Sequence, residues 1–325
     1  IRDTKGMVRS VTLPAVFGTS SGKKNLSDMR TVGWEFNIGW RDRINNLAGS
    51  PFDYSIGVGI SDYQATITKH DNPSGLLKDY YVGQKLGEIW GFETQGFIMD
   101  EAEADEMGVV QKFLSAKWHP GDIRYRDLDG NGKIDTGMNT LDDPGDRRII
   151  GNSTPRYKFN ITGGIGWHGF ALDFMFDGVC KRDVWIGSDL FWGFGRGIYN
   201  SCVTQYHIDN SWTEENPNAY FPRLSNGNGK SQYVQTKYLQ NAAFLRLKNL
   251  TLSYTLPRKA LDKLGIENAR IYATGMNVFE ITGLPPFMTP DITDNIVDSK
   301  EFGSPNAGKE YAFMRSWSFG INVTF

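Results

Sequence analysis

The chain has 325 residues, with 35 Lys and Arg against 37 Asp and Glu, 13% aromatic residues and 37 glycines. Near-neutral charge without a basic cluster excludes a nucleic-acid-binding field, and the apolar content excludes a disordered chain. No run approaches the ~20 apolar residues of a membrane-spanning helix, so the negative mean hydropathy leaves a β-barrel with one apolar and one wet face, or a secreted β-sandwich.

The chain opens on Ile1-Arg2-Asp3-Thr4-Lys5, which is polar and lacks the apolar segment of a signal peptide. The sequence therefore reads as truncated at its N-terminus. A strand is predicted over residues 6–13. Period-two alternation then sets in, with Trp34, Phe36, Ile38 and Trp40 between polar or small neighbours, and again with Phe52, Tyr54, Ile56, Val58 and Ile60. Tyr157, Phe159, Ile161, Ile165 and Trp167 continue it, followed by Phe170, Leu172, Phe174 and Phe176, then Leu250, Leu252, Tyr254 and Leu256. Residues 269–282 form a strand that alternates poorly. The last strand carries Trp317, Phe319, Ile321, Val323 and Phe325. Alternation sends these residues to one face of a sheet and the Ser, Thr, Asn, Asp, Gly and Arg between them to the other. Several segments reach the ~9–11 residues that cross a membrane as tilted strands.

Connections alternate in length. Residues 45–51, 167–170 and 257–268 make short ones, and residues 71–155, 187–241 and 284–310 long ones. Short turns on one side and long loops on the other are the outer-membrane barrel arrangement, with the long loops outside. The terminal Phe325 is expected to face lipid. The polar row cannot pack a dry core and suits a water-filled or plug-filled lumen.

Inside the first long loop, Asp127-Leu128-Asp129-Gly130-Asn131-Gly132-Lys133-Ile134-Asp135 reads like the opening of an EF-hand loop. Oxygen side chains stand at loop positions one, three, five and nine, Gly at six, and the Lys133 carbonyl at seven. Position twelve is Met138 instead of Glu, so Asp142, Asp143 or Asp146 is left to complete the shell of a Ca²⁺ ion; an ion-free Asp/Asn/Gly turn is the alternative. The acidic run at Asp100, Glu101, Glu103, Asp105 and Glu106 reads as the solvated face of a short helix. No nucleophile-elbow or phosphate-loop spacing occurs, and the four histidines lack zinc-ligand spacing, so no enzyme is expected. Whether Cys180 and Cys202 are bridged stays open. The aromatic stretch with Trp185, Phe191, Trp192 and Phe194 follows an upward strand. It is expected at the outer mouth, where it packs neighbouring loops, docks a lid or contacts substrate.

Several segments, in order, resemble the SusC/RagA-like family of TonB-dependent outer-membrane transporters of Bacteroidetes. They are Leu86-Gly87-Glu88-Ile89-Trp90-Gly91-Phe92-Glu93-Thr94-Gln95-Gly96-Phe97, Pro120-Gly121-Asp122-Ile123-Arg124-Tyr125, and Asp146-Arg147-Arg148-Ile149-Ile150-Gly151-Asn152. Asn218-Ala219-Tyr220-Phe221-Pro222-Arg223-Leu224, Phe244-Leu245-Arg246-Leu247-Lys248-Asn249-Leu250 and the final Phe325 complete the series. The resemblance implies an all-β, transmembrane antiparallel barrel of about twenty-two strands. Residues 1–325 would supply its C-terminal strands, roughly eight in number, with long extracellular loops. It further implies an outer-membrane location, with a plug and a TonB-contacting segment that lie outside this sequence, and a SusD-like surface lipoprotein as lid. Oligosaccharides or oligopeptides would be imported as TonB displaces the plug. The insertion between Asp135 and Asp146 departs from the shorter family spacing and bears on the ion ligands. Two rival readings are a complete eight-stranded barrel and a secreted calcium-binding β-sandwich adhesin.

Overall fold

The structure, a computed structural model, describes residues 1–10, 22–193, 203–225, 229–262, 265–290 and 314–325. In chain order the strands are β1 (Arg2–Ser10), β2 (Lys23–Leu47), β3 (Ser50–Lys69), β4 (Glu88–Phe92), β5 (Thr94–Phe97), β6 (Ile123–Tyr125) and β7 (Arg147–Asn152). They continue as β8 (Arg156–Trp167), β9 (Phe170–Lys181), β10 (Asp183–Val184), β11 (Gln240–Asn241), β12 (Phe244–Thr255), β13 (Asn268–Thr282) and β14 (Ser316–Thr324). Short helices are α1 (Glu101–Val110), α2 (Asp189–Trp192), α3 (Gln205–Asn210) and α4 (Arg258–Leu261).

Eight strands form one antiparallel sheet in the order β1-β2-β3-β8-β9-β12-β13-β14, so each strand pairs with its predecessor in the wall. Two of the short connections are two-residue turns. Ala48 and Gly49 close β2–β3 at φ 53° and 86°, and His168 and Gly169 close β8–β9 at φ 51° and 83°. Left-handed φ at both turn positions matches the twist of the flanking strands. The described parts of the long connections leave the opposite edge and build a cap. Within it lie three two-stranded sheets, β4–β7, β5–β6 and β10–β11.

Pairing aligns the large apolar residues into rows across the sheet. Trp40 faces Ile56, which faces Gly163, then Phe174, Leu250, Gly275 and Trp317. Glycines in these rows sit beneath rings of the neighbouring strand. A Cβ on Gly275 would lie 2.7 Å from the Trp317 ring, and one on Gly178 would lie 2.6 Å from the Phe159 ring. This explains the faint alternation of β13, whose outward row includes Ala273 and Gly275 under Phe319 and Trp317. The register shift between Leu247 and Asn249 flips parity within β12, so Leu245 and Leu247 share a face with Leu250 and Leu252.

These rows are exposed. Trp40 keeps 61% of its surface, Ile38 59%, Ile321 68%, Phe319 80% and Phe325 86%. The continuous apolar core lies in the cap instead, around Phe92, Ile98, Trp118, Phe191, Trp192, Phe221 and Tyr238. Each outward side chain is worth about 1.5–3 kcal/mol when taken out of water, a gain that only an apolar surround can supply to this face. The sandwich reading fails because, among the described residues, no second sheet covers the rows. The complete eight-stranded barrel fails because β1 and β14 are the two ends of the sheet order and do not pair. The strand predicted over residues 6–13 is β1, shifted towards the N-terminus.

Gly178 tests the row geometry. A Cβ there would lie 2.4 Å from the Phe244 carbonyl oxygen, whereas one on Gly166 would meet nothing closer than 3.5 Å. Gly178→Ala is expected to destabilise the folded protein by about 1–3 kcal/mol, and Gly166→Ala by under about 0.5 kcal/mol. Urea titration of both variants in detergent, scored by the heat-modifiable gel shift, checks the difference.

Candidate functional site

The inner face of the sheet is polar along its full width. One register row runs Asn37, Gly59, Asn160, Asp177, Arg246 and Glu280. Charges are matched across strands: Arg43 grips Asp53 at 2.5 Å, Lys248 reaches Asp177 at 3.3 Å, and Arg246 pairs with Glu280. A recess of about 420 Å³ opens on this face close to the cap, with Glu35, Asn37, Lys158, Asn160, Asp177 and Arg182 among its lining residues. A Cβ on Gly59 would stand 2.6 Å from Asn37 Oδ1 and 2.7 Å from Asn160 Nδ2, so glycine lets both carboxamides close over the strand. Donors, acceptors and charges of both signs make a wall for a hydrated solute.

The cap above it is held by buried polar links as well as by rings. Gln111 is fully buried. Its side chain takes the place of a strand neighbour, donating to the Ile123 carbonyl at 3.2 Å and accepting from Tyr125 N at 2.6 Å. Asp122 has no exposed surface and binds three groups: His119 N at 2.9 Å, Arg223 at 3.1 Å and Lys230 at 2.6 Å. This carboxylate ties the first long loop to the second. Where the first loop rejoins the sheet, Asp62 and Arg156 form a two-pronged bond at 2.6 Å on each prong. Sequence reasoning missed all three. The signal for Asp122 was present in Pro120-Gly121-Asp122: Gly121 adopts φ 84°, and a Cβ there would lie 2.3 Å from the Trp212 ring.

The structure spends the predicted mouth aromatics on packing. Trp185, Phe191 and Trp192 retain 3%, 0% and 4% of their surface, within the ring cluster that includes Phe221 and Tyr238. Phe194 lies outside the described residues. Cys180 is exposed at the end of β9, and Cys202 is also outside them. Burial pushes the Tyr125 and Tyr238 phenols well above their ordinary values and pulls the half-buried Lys237 ammonium down. The acidic run occupies α1, whose N-cap Asp100 accepts from Glu103 N at 2.8 Å.

Of the predicted ion ligands, Asp127, Asp129 and Asp146 converge, with one oxygen of each within 4.8 Å of the others. Asp127 accepts from Gly130 N at 2.6 Å and Gly132 N at 2.8 Å, and these bonds hold its carboxyl below the usual range. Asp146 is fully buried and accepts from Leu128 N at 2.7 Å and Asp135 N at 2.9 Å, so it closes the loop from eleven residues beyond Asp135. Burial, aided by the Asp129 and Asp127 charges, raises its carboxyl. The other predicted carboxylates, Asp135 and Asp143, are turned to backbone amides, and Asn131 stays beside the cluster with its Nδ2 donating to Asp129 at 2.9 Å. Asp135 caps Gly137 N at 2.7 Å, Asp143 caps Met138 N at 2.9 Å, and Asn131 Oδ1 accepts from Lys133 N at 2.8 Å. Ile134, with 1% exposure, plugs the loop into the cap core. Three carboxylates gathered so closely, one of them buried, form a set that a cation would neutralise.

No family profile matches the chain. Among curated proteins it is similar to TonB-dependent receptor P3 of Formosa agariphila, at 25% identity over 96% of this chain and 30% of that one. It is likewise similar to TonB-dependent receptor SusC of Bacteroides thetaiotaomicron, at 25% identity over 90% of this chain and 28% of that one. The chain thus spans about a third or less of the length of these relatives, which are receptors and not enzymes. The structure of the RagAB peptide importer in its closed-closed state superposes with TM-score 0.65 and 21% identity, over 99% of this chain and 32% of that one. The resemblance read from the motifs is therefore found along nearly the whole of this chain, and the eight-stranded sheet has the fold of one segment of a larger barrel wall.

Asp146 gives the loop a pH signature. Its raised carboxyl means that, without a cation, the folded loop binds the proton more tightly than the unfolded one. That stability is present below the ordinary carboxylate pKa and is lost as pH rises through the raised value. Asp127, held low, acts in the opposite sense in a window below the ordinary pKa. Bound calcium should remove the Asp146 penalty, so that calcium-dependent stability grows with pH. Hydrogen exchange of the Leu128 and Asp135 amides, with and without calcium, reads this directly, and Asp146→Asn should abolish both the slope and most of the calcium effect. Identical protection with and without calcium at neutral pH would rule the cation out.

Proposed function

We propose that residues 1–325 are part of the barrel wall and outer cap of a TonB-dependent importer in the outer membrane. The observation that carries this is the inverted distribution of side chains. Apolar rows of the wall face outwards, charged and amide residues face inwards, and the dry core sits in the loops above the recess on the inner wall. A soluble domain places its core against its sheet; a wall between lipid and a wet passage has this distribution.

The cargo is a polar nutrient oligomer, an oligosaccharide or an oligopeptide, for which the inner wall offers matched donors, acceptors and charges. The chain's likeness to the structure of a peptide importer supports the second class. A SusD-like lipoprotein would close the cap from outside, and TonB would act through a segment beyond this sequence. Ca²⁺ held by Asp127, Asp129 and Asp146 would fix the Asp127–Asp135 turn against the cap core and so shape the mouth.

Cells carrying the whole protein should accumulate labelled oligomer only while the inner membrane is energised. Replacing Asn37 and Asn160 together by Leu should cut uptake severalfold at unchanged outer-membrane yield. Uptake that persists without TonB would contradict the import reading.

A further inference from the structure

We propose that the cap carries a recess that accepts an arginine or lysine side chain with an apolar neighbour, as presented by a basic oligopeptide. The inference rests on the import reading and sharpens its substrate class. The recess measures about 430 Å³ and lies where the start of α1, the His119-Pro120 turn and the stretch following α3 meet. That size falls within the ~300–1,000 Å³ of small-ligand sites. Part of its wall is apolar, from Pro120, Ile208, Trp212 and Leu224, and Ile208 is 54% exposed although the cap has a well-formed core nearby.

Charge decides which ligand these walls suit. Glu101 and Glu214 line the recess and are exposed. Arg223 and His119 line it as well. The Arg223 guanidinium is bonded at 3.1 Å to the fully buried Asp122, so its charge is directed inwards, against a carboxylate that Lys230 also holds. Of the charged residues that line the recess, the two glutamates are the exposed acids, while Arg223, with 30% of its side chain exposed, is held to Asp122. A cation entering beside the apolar residues gains a salt-screened attraction to the two carboxylates and keeps its aliphatic stem covered.

A neutral saccharide finds less here. Sugar stacking needs an open aromatic face, and Trp212 has only 8% of its surface exposed, with its ring lodged against Gly121. No Phe or Tyr among the described residues lines the recess. The recess therefore distinguishes the two cargo classes that the inner wall alone admits.

The test uses the whole protein purified in detergent and three probes: the tripeptides Leu-Arg-Leu and Leu-Glu-Leu, and maltotriose, measured by titration calorimetry. Leu-Arg-Leu should bind, and more weakly as salt is raised. Glu101→Gln and Glu214→Gln should each weaken it about three- to fivefold, and together about tenfold or more. Glu106→Gln, which alters the same surface outside the recess, should leave the affinity unchanged. Each variant should keep the heat-modifiable gel shift of the folded barrel. The proposal is overturned if Leu-Arg-Leu does not bind, if the double variant binds it equally well, or if Leu-Glu-Leu or maltotriose binds with the same dependence on these glutamates. Glutamate-dependent peptide binding in a protein that shows no energised uptake would keep the recess and remove the import reading.

Discussion

A sheet whose apolar face is covered by nothing among the described residues must find its cover elsewhere, and the rest of the architecture follows from that requirement. Inside a lipid layer, water cannot hydrogen-bond to backbone groups, so each must be paired within the wall. The eight strands meet this demand by pairing each with its sequence neighbour, joined on one side by turns as tight as two residues. The same demand makes the outer edges of β1 and β14 sites for further strands, consistent with a segment of a larger barrel. It also explains the glycines beneath Phe159 and Trp317: with no partner layer outside, rings fill gaps by lying over the neighbouring strand.

Because the wall cannot supply a dry core, the long loops make their own. Gln111 completes a strand pairing with its side chain, Asp122 draws two loops together through Arg223 and Lys230, and the rings around Phe191 and Tyr238 exclude water. Removing one partner from such a buried link leaves the other uncompensated, at a cost of about 3–5 kcal/mol. The described part of the cap is thus a packed roof with its own core. Selectivity can reside in fixed features of that roof, with the inner-wall recess below it and the Glu101–Glu214 recess in it. The acidic turn at Asp127 belongs to the same roof, since Ile134 anchors it in the cap core while Asp146 closes it.

The wall was legible in the sequence because period-two alternation over long strands is a strong and local signal. The strands around Trp40, Ile56, Ile165 and Trp317 could be seen from it, as could the sorting of loop lengths. β13 was faint because its outward positions at Ala273 and Gly275 are small, and the parity of β12 was hidden by the shift at Lys248. The cap was not legible. Several of its links join residues about a hundred positions apart, as Asp122 does with Arg223, and no local pattern announces them. For Trp185, Phe191 and Trp192 the sequence left packing, lid docking and substrate contact open, and only the fold shows them buried in the cap core. Among the acidic residues, spacing singled out Asp127 and Asp129; of the three distal candidates, only the fold picks out Asp146.

The central claim is that the exposed rows meet lipid and the buried rings do not. Fluorescence of variants that each keep a single tryptophan, in vesicles of brominated phospholipid, tests it most directly. Trp40 and Trp317, at 61% and 57% exposure, should be strongly quenched, whereas Trp118 and Trp192, at 3% and 4%, should be nearly unaffected. Quenching of Trp192 with none of Trp40 or Trp317 would contradict the account.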